Sequence, residues 1–153
     1  MKKALIGLVC LLGLVSCNKD DKKEEGLEGY WSLARTESVI TKDGKTLKTS
    51  TEDIDPMGQP SVSSLRLAVT KKDENTYVFQ SFEWDVYKEA WYSDYNEEFV
   101  LDGDVLRSEE KELKIISLSS GYFVVEGSEV LDIPTYVGAT ETTTMKFIRV
   151  EKW

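Results

Sequence analysis

The chain contains no histidine, only two cysteines, and far fewer basic than acidic residues, 19 against 28 among 153. Each shortage closes off a class of function. Without histidine there is no Ser-His-Asp or Cys-His nucleophile and no imidazole ligand for a metal. The formal charge of −9 repels nucleic acid and anionic head groups, so neither is expected as a partner. No Gly-rich phosphate cradle is present, and no stretch has the length and amphipathic period of a helix. The longest apolar run, Ala4 to Val15, falls short of the roughly 20 residues that a membrane-spanning helix needs. Carboxylates are plentiful. Yet Asp53-Ile54-Asp55 and Asp102-Gly103-Asp104 lack the ligand count of a calcium loop and read as turns. Carboxylate pairs of the kind a glycosidase uses arise by chance on so acidic a surface. We therefore expect no enzyme, no metal and no cofactor.

The apolar run follows Lys2 and Lys3 and ends at Leu14-Val15-Ser16-Cys17. A basic start and a short apolar stretch make a secretory signal peptide. The last four residues resemble the lipobox of bacterial lipoproteins, in which small residues precede a cysteine. The resemblance implies cleavage after Ser16, acylation of Cys17 as the new N-terminus, and attachment to the membrane through several acyl chains, durable where one chain is marginal. Cys10 leaves with the signal peptide, so the mature chain has no free thiol and no disulfide. Removal also takes two lysines and no acid, moving the formal charge from −9 to −11. Residues 1–16 are thus read as a signal peptide and residues 17–26 as the acylated cysteine and a flexible charged tether. Asn18 to Gly26 has no apolar residue to offset its ordering entropy, and fully stretched it reaches about 30 Å. Asn18-Lys19-Asp20-Asp21 resembles the lysine-acid tag behind the acylated cysteine of some Gram-negative surface lipoproteins. That implies an outer-membrane lipoprotein displayed at the cell surface; a periplasmic face stays open.

From Leu27 onward Val, Ile, Thr, Tyr and Phe are frequent, and turn signals recur at hairpin spacing. Gly29 to Thr41 reads as a long strand, and Lys42-Asp43-Gly44-Lys45 as a tight Asp-Gly turn. Thr46 to Glu52 returns, and Asp53 to Ser63, with Pro56, Gly58 and Pro60, is a loop. Leu65 to Thr70 alternates cleanly, with Leu65, Leu67 and Val69 on one face. Further strands follow at Thr76 to Trp84, Glu98 to Leu101, Asp104 to Arg107, Leu113 to Leu118, Tyr122 to Glu126 and Thr142 to Lys152. Eight strands and one short extra make an all-β domain over residues 27–153. The expected architecture is a single antiparallel up-and-down β-barrel of about eight strands, which leaves no exposed sheet edge. A β-sandwich is the alternative.

Leu27-Glu28-Gly29-Tyr30-Trp31 resembles the Gly-x-Trp opening of lipocalins, and especially of the lipocalin-like domains of bacterial lipoproteins. Phe147-Ile148-Arg149 resembles the end of that family's last strand. Ile115 to Val125 looks like the family's late hairpin. The resemblance implies that Trp31 plugs one end of the barrel, that Arg149 packs across it and that Gly29 belongs to the same closure. It implies a binding or structural role and no reaction. Two features depart from the pattern. Arg35 shares the alternate face of Trp31 and Leu33, so either a bulge intervenes or a charge points inward. The loop from Asp53 to Ser63 is long for a first connection.

Seven of the sixteen aromatic residues lie between Phe82 and Phe99. Such density fills a core, closes a barrel mouth or offers stacking faces to a ligand. Core packing with ordinary surface tyrosines is the plainer reading. The interleaved Asp85, Lys88, Glu89, Asp94 and Asn96 favour a rim or loop over Asp85 to Tyr95, with Trp84, Tyr87, Trp91, Tyr92 and Tyr95 as candidate ligand-binding residues. The expected function is that of a membrane-anchored protein binding a small apolar or amphipathic ligand in or at the mouth of the barrel. The alternative is a structural or interaction lipoprotein whose barrel is filled by side chains and whose surface meets a protein or a glycan. An eight-stranded barrel is wide enough for either.

Overall fold

The computed structural model describes residues 26–153, apart from the side chain of Asp94. The signal peptide, Cys17 and nearly all of the tether lie outside these residues. Nine antiparallel strands follow one another: β1 (Gly29–Lys42), β2 (Lys45–Asp53), β3 (Leu65–Lys71), β4 (Thr76–Asp85), β5 (Ala90–Asp102), β6 (Val105–Arg107), β7 (Glu112–Leu118), β8 (Tyr122–Val130) and β9 (Thr140–Val150). The sheet order is β2-β1-β3-β4-β5-β6-β7-β8-β9, and β9 pairs back onto β1. Eight strands therefore close into an up-and-down barrel, and the sandwich alternative is excluded.

The ninth strand is not the short one. The three-residue β6 is part of the barrel, whereas β2 stands outside it. The first half of β1 pairs with β3 through Gly29 to Ser32, and its second half pairs on the same edge with β2 from Arg35 onward. Every residue of β2 is exposed. Lys45, Lys48, Glu52 and Asp53 charge this outer edge, which discourages pairing with another chain. The β1–β2 turn is built as its sequence predicts: Asp43 and Gly44 both have positive φ, 52° and 73°, as a type I′ turn demands.

Arg35 points outward because β1 carries a bulge. Leu33 pairs with Phe147 and Arg35 with Lys146, so one residue is extra and the alternation reverses. Leu33 stays in the core. Arg35 reaches Asp53 at 3.2 Å on the surface.

A second correction concerns Asp85 to Tyr95. This stretch is no loop: β4 runs to Asp85 and β5 starts at Ala90, which leaves only Val86 to Glu89 as a turn. The Asp85 carboxylate accepts the backbone N–H groups of Tyr87 and Lys88 at 2.9 and 3.0 Å. These bonds, that of Lys88 foremost, hold its pKa below the usual carboxylate range.

One end of the barrel is packed solid. Trp31 is fully buried, lies edge-on to Phe123 at 4.7 Å, and Phe123 stacks on Phe147 at 4.8 Å. The Trp31 Nε1–H donates to the Leu27 carbonyl at 2.8 Å. Arg149, its cross-strand neighbour, lies over the indole with its guanidinium carbon 4.2 Å from the ring centroid. Its three nitrogens donate to the carbonyls of Ser120, Glu28 and Gly26 at 2.6, 2.7 and 2.9 Å. Gly29 has φ 135°, and a Cβ there would sit 2.4 Å from Arg149 Nη1, so the guanidinium fits only beside glycine.

Candidate functional site

Above this floor the inward residues of β3, β4, β5, β8 and β9 leave a cavity of about 210 Å³. Period-two alternation places them: Leu65 and Leu67 on β3, Phe79 and Ser81 on β4, Tyr95, Glu97 and Phe99 on β5. Phe123, Val125, Met145 and Phe147 complete an apolar lower wall. Phe79 and Phe99 meet edge to face at 5.0 Å.

One side of the wall is charged. Glu97 is only 8% exposed, and Lys111, just ahead of β7, places its ammonium 2.7 Å from the carboxylate. The Ser108 hydroxyl also donates to Glu97. The Lys111 ammonium lies 5.3 Å from the centroid of Tyr95 and 6.0 Å from that of Phe99, so it bridges the aromatic wall and the carboxylate. The Tyr95 hydroxyl donates to Glu110 at 3.3 Å. Desolvation, followed by the carboxylates of Glu97 and Glu110, pushes the Tyr95 phenol up to about 12. The phenol is therefore a neutral donor at physiological pH. An apolar floor, with the carboxylates of Glu83 and Glu97, one ammonium and one phenol gathered on its wall, suits a ligand that is mostly apolar with a polar end.

The five aromatic residues singled out from the sequence do not form one site. Tyr95 lines the cavity. Tyr92 donates its hydroxyl to Glu83 at 3.0 Å, and Glu83 belongs to the cavity wall. Tyr87 sits in the β4–β5 turn, 96% exposed. Trp84 and Trp91 pair edge to face at 5.5 Å on the opposite face of the hairpin, because a bulge between Ser81 and Glu83 sets the register of the outer half. Glu97 and Lys111 were not singled out. The inward parity of Tyr95-x-Glu97-x-Phe99 marks Glu97 once β5 is known to be continuous, but the Lys111 contact comes from a hairpin that sequence spacing does not reveal.

Among the described residues no group of three or more acidic or cysteine side chains is placed to hold a metal ion, and no helix is long and apolar enough to cross a membrane.

No protein-family model matches the chain, and no curated protein matches it. Among solved structures, it is similar to that of the siderocalin Ex-FABP, described as functioning through dual ligand specificities. The TM-score is 0.51, over 80% of this chain and 69% of that one, at 15% sequence identity. The likeness is one of fold: the barrel is lipocalin-like.

Proposed function

We propose that this chain is a lipid-anchored, lipocalin-like binding protein, not an enzyme, that takes a small apolar or amphipathic ligand into its barrel. The cavity carries the proposal. Its apolar floor accepts the body of such a ligand, and the Glu97–Lys111 pair with Tyr95 receives the polar end. The volume, about 210 Å³, suits a compact ligand rather than a long lipid. The lipocalin-like fold supports the same reading. Attachment rests on the lipobox resemblance at Cys17, and an outer-membrane, surface-facing location on the acidic tag behind it.

The test is titration of the full chain in detergent with the neutral fluorescent probe phenylnaphthylamine. Saturable binding at one probe per chain is expected, with loss of binding in Met145→Trp, which fills the cavity. A folded wild type that takes up no probe refutes the proposal, as does a folded Met145→Trp that binds unchanged. Anchoring is tested separately. Cys17→Ala should move the protein to the soluble fraction, and a variant still requiring detergent for extraction refutes the lipid anchor.

A further inference from the structure

The outer wall of the barrel carries a second concavity, of about 460 Å³, lined by Tyr30, Ala68, Gln80, Phe82, Trp91 and the Lys152–Trp153 end of the described chain. Arg66 on β3 packs against two of its lining rings. The guanidinium carbon lies 4.3 Å from the Trp91 ring centroid and 4.9 Å from that of Trp153, so two indoles flank the cation. Tyr30 and Phe82 hold the Trp153 ring edge-on at 5.1 and 5.5 Å. Cross-strand pairing of Arg66 with Phe82 fixes the arginine on this outer face, apart from the cavity.

What sets this cation apart among the described residues is a buried donor with nothing to receive it. Arg35, Lys72, Lys88, Arg107 and Lys111 pair with acids, and the Arg149 guanidinium is satisfied by three carbonyls. Arg66 forms no ion pair with the described side chains, and its buried Nε has no hydrogen-bond acceptor. Burial lowers its pKa, the sign of a desolvated charge with no anion beside it. A buried donor left unsatisfied destabilises the fold, and flanking indoles compensate only the faces of the guanidinium, not its edge. The planar edge is the part that recognises carboxylates.

We propose that this groove binds an acidic carbohydrate, with a sugar carboxylate on the edge of Arg66 and the ring against the aromatic side chains. The chemistry argues for that class. A cation with no ion pair among the described residues and an unsatisfied Nε calls for an anion. The partly exposed rings of Tyr30, Trp91 and Trp153 offer apolar surface of sugar size beside the cation. Gln80 and Lys152 bring hydroxyl-binding groups to the same groove. The protein's overall negative charge rejects anions that lack a second source of affinity, and the rings supply it.

The test is titration of the full chain in detergent with an oligogalacturonate, followed by tryptophan fluorescence and calorimetry. Binding with a change in fluorescence is expected. The methyl-esterified oligosaccharide, with the same rings and no charge, should bind at least about tenfold more weakly, the factor expected for losing a hydrogen bond to a charged group. Arg66→Gln should lose the same factor, and Trp153→Ala should weaken binding if Arg66→Gln does not fold. Phenylnaphthylamine, which probes the barrel interior, should not compete. No binding, equal binding of acid and ester, or unchanged binding in a folded Arg66→Gln variant overturns the proposal. Benzoate binding as tightly as the oligosaccharide overturns the carbohydrate class.

Discussion

Arg149 places its guanidinium carbon 4.2 Å from the centroid of the Trp31 ring, and its guanidinium donates to three backbone carbonyls from two other segments. One side chain thus ties the incoming segment at Gly26 and Glu28, the β7–β8 turn at Ser120 and the last strand to the buried indole. Trp31→Ala removes both the cation–π contact and a large part of the core; a loss of about 3–5 kcal/mol is expected. Arg149→Lys keeps the charge but cannot span three carbonyls, so a loss of about 1–3 kcal/mol is expected. Urea unfolding followed by circular dichroism measures both. A neutral Trp31→Ala would show that this end of the barrel is not a stabilising plug.

The outer aromatic wall predicts an intermediate result. Trp91 is half-buried between Trp84 and Arg66, neither a free rim residue nor a core residue. Trp91→Ala should lose an aromatic pair and a cation–π contact, together about 1–2 kcal/mol. Acrylamide should quench its fluorescence only in part. Binding of phenylnaphthylamine inside the barrel should not change. A loss of about 3–5 kcal/mol, the range of a core tryptophan, contradicts the outer placement.

The contrast between these two tryptophans shows what the sequence makes legible. Trp31 was identifiable because Gly29-x-Trp31 and Arg149 together resemble the barrel closure of lipocalins, ahead of the bulge that upsets the alternation of β1. The Asp43-Gly44 and Asp102-Gly103 turns were legible for a local reason, since few residues accept positive φ. Trp91 was misread because charged and aromatic residues mix in β5. A strand whose inner face lines a partly polar cavity and whose outer face packs rings has no clean polar side to mark it. Glu97 was hidden by the same mixture. The departure of β2 from the barrel was hidden too, because a hairpin outside the barrel obeys the same local rules as one within it. Arg66 and Trp153 lie far apart in sequence, and no spacing rule brings them together.

Tyr95 makes stability depend on pH at the alkaline end. Its pKa is raised from 10.0 to about 12 by desolvation and by Glu97 and Glu110. Between these values the unfolded chain has released the phenolic proton while the folded chain still holds it. The folded state binds more protons, so stability falls as pH rises through this window and is fully retained below it. Tyrosinate absorbance should show one late-titrating tyrosine in the folded protein, absent from Tyr95→Phe, and the variant should lose less stability across the window. A Tyr95→Phe titration identical to wild type contradicts the assignment.

The Glu97–Lys111 pair is the last test, because it links stability to the site. Glu97 is 8% exposed, whereas the Lys111 side chain is 46% exposed, so the two are not equivalent. Lys111→Met keeps the stem over Tyr95 and Phe99 but strands a buried carboxylate. A one-sided break of a buried pair costs about 3–5 kcal/mol, which the access of Lys111 to water reduces to about 1–3 kcal/mol. Glu97→Gln leaves an ammonium that water can solvate, and should cost less. The double variant should recover part of the Lys111→Met loss, since it strands nothing. The same variants should sort ligands by charge. Lys111→Met should weaken an anionic probe such as anilinonaphthalene sulfonate, Glu97→Gln should strengthen it, and neutral phenylnaphthylamine should respond to neither. The charged probe moves because the pair sits on the cavity wall, where a ligand's polar end displaces water from both groups. If both probes respond alike, or if the two single variants are equally destabilised, the pair braces the barrel and takes no part in recognising the ligand.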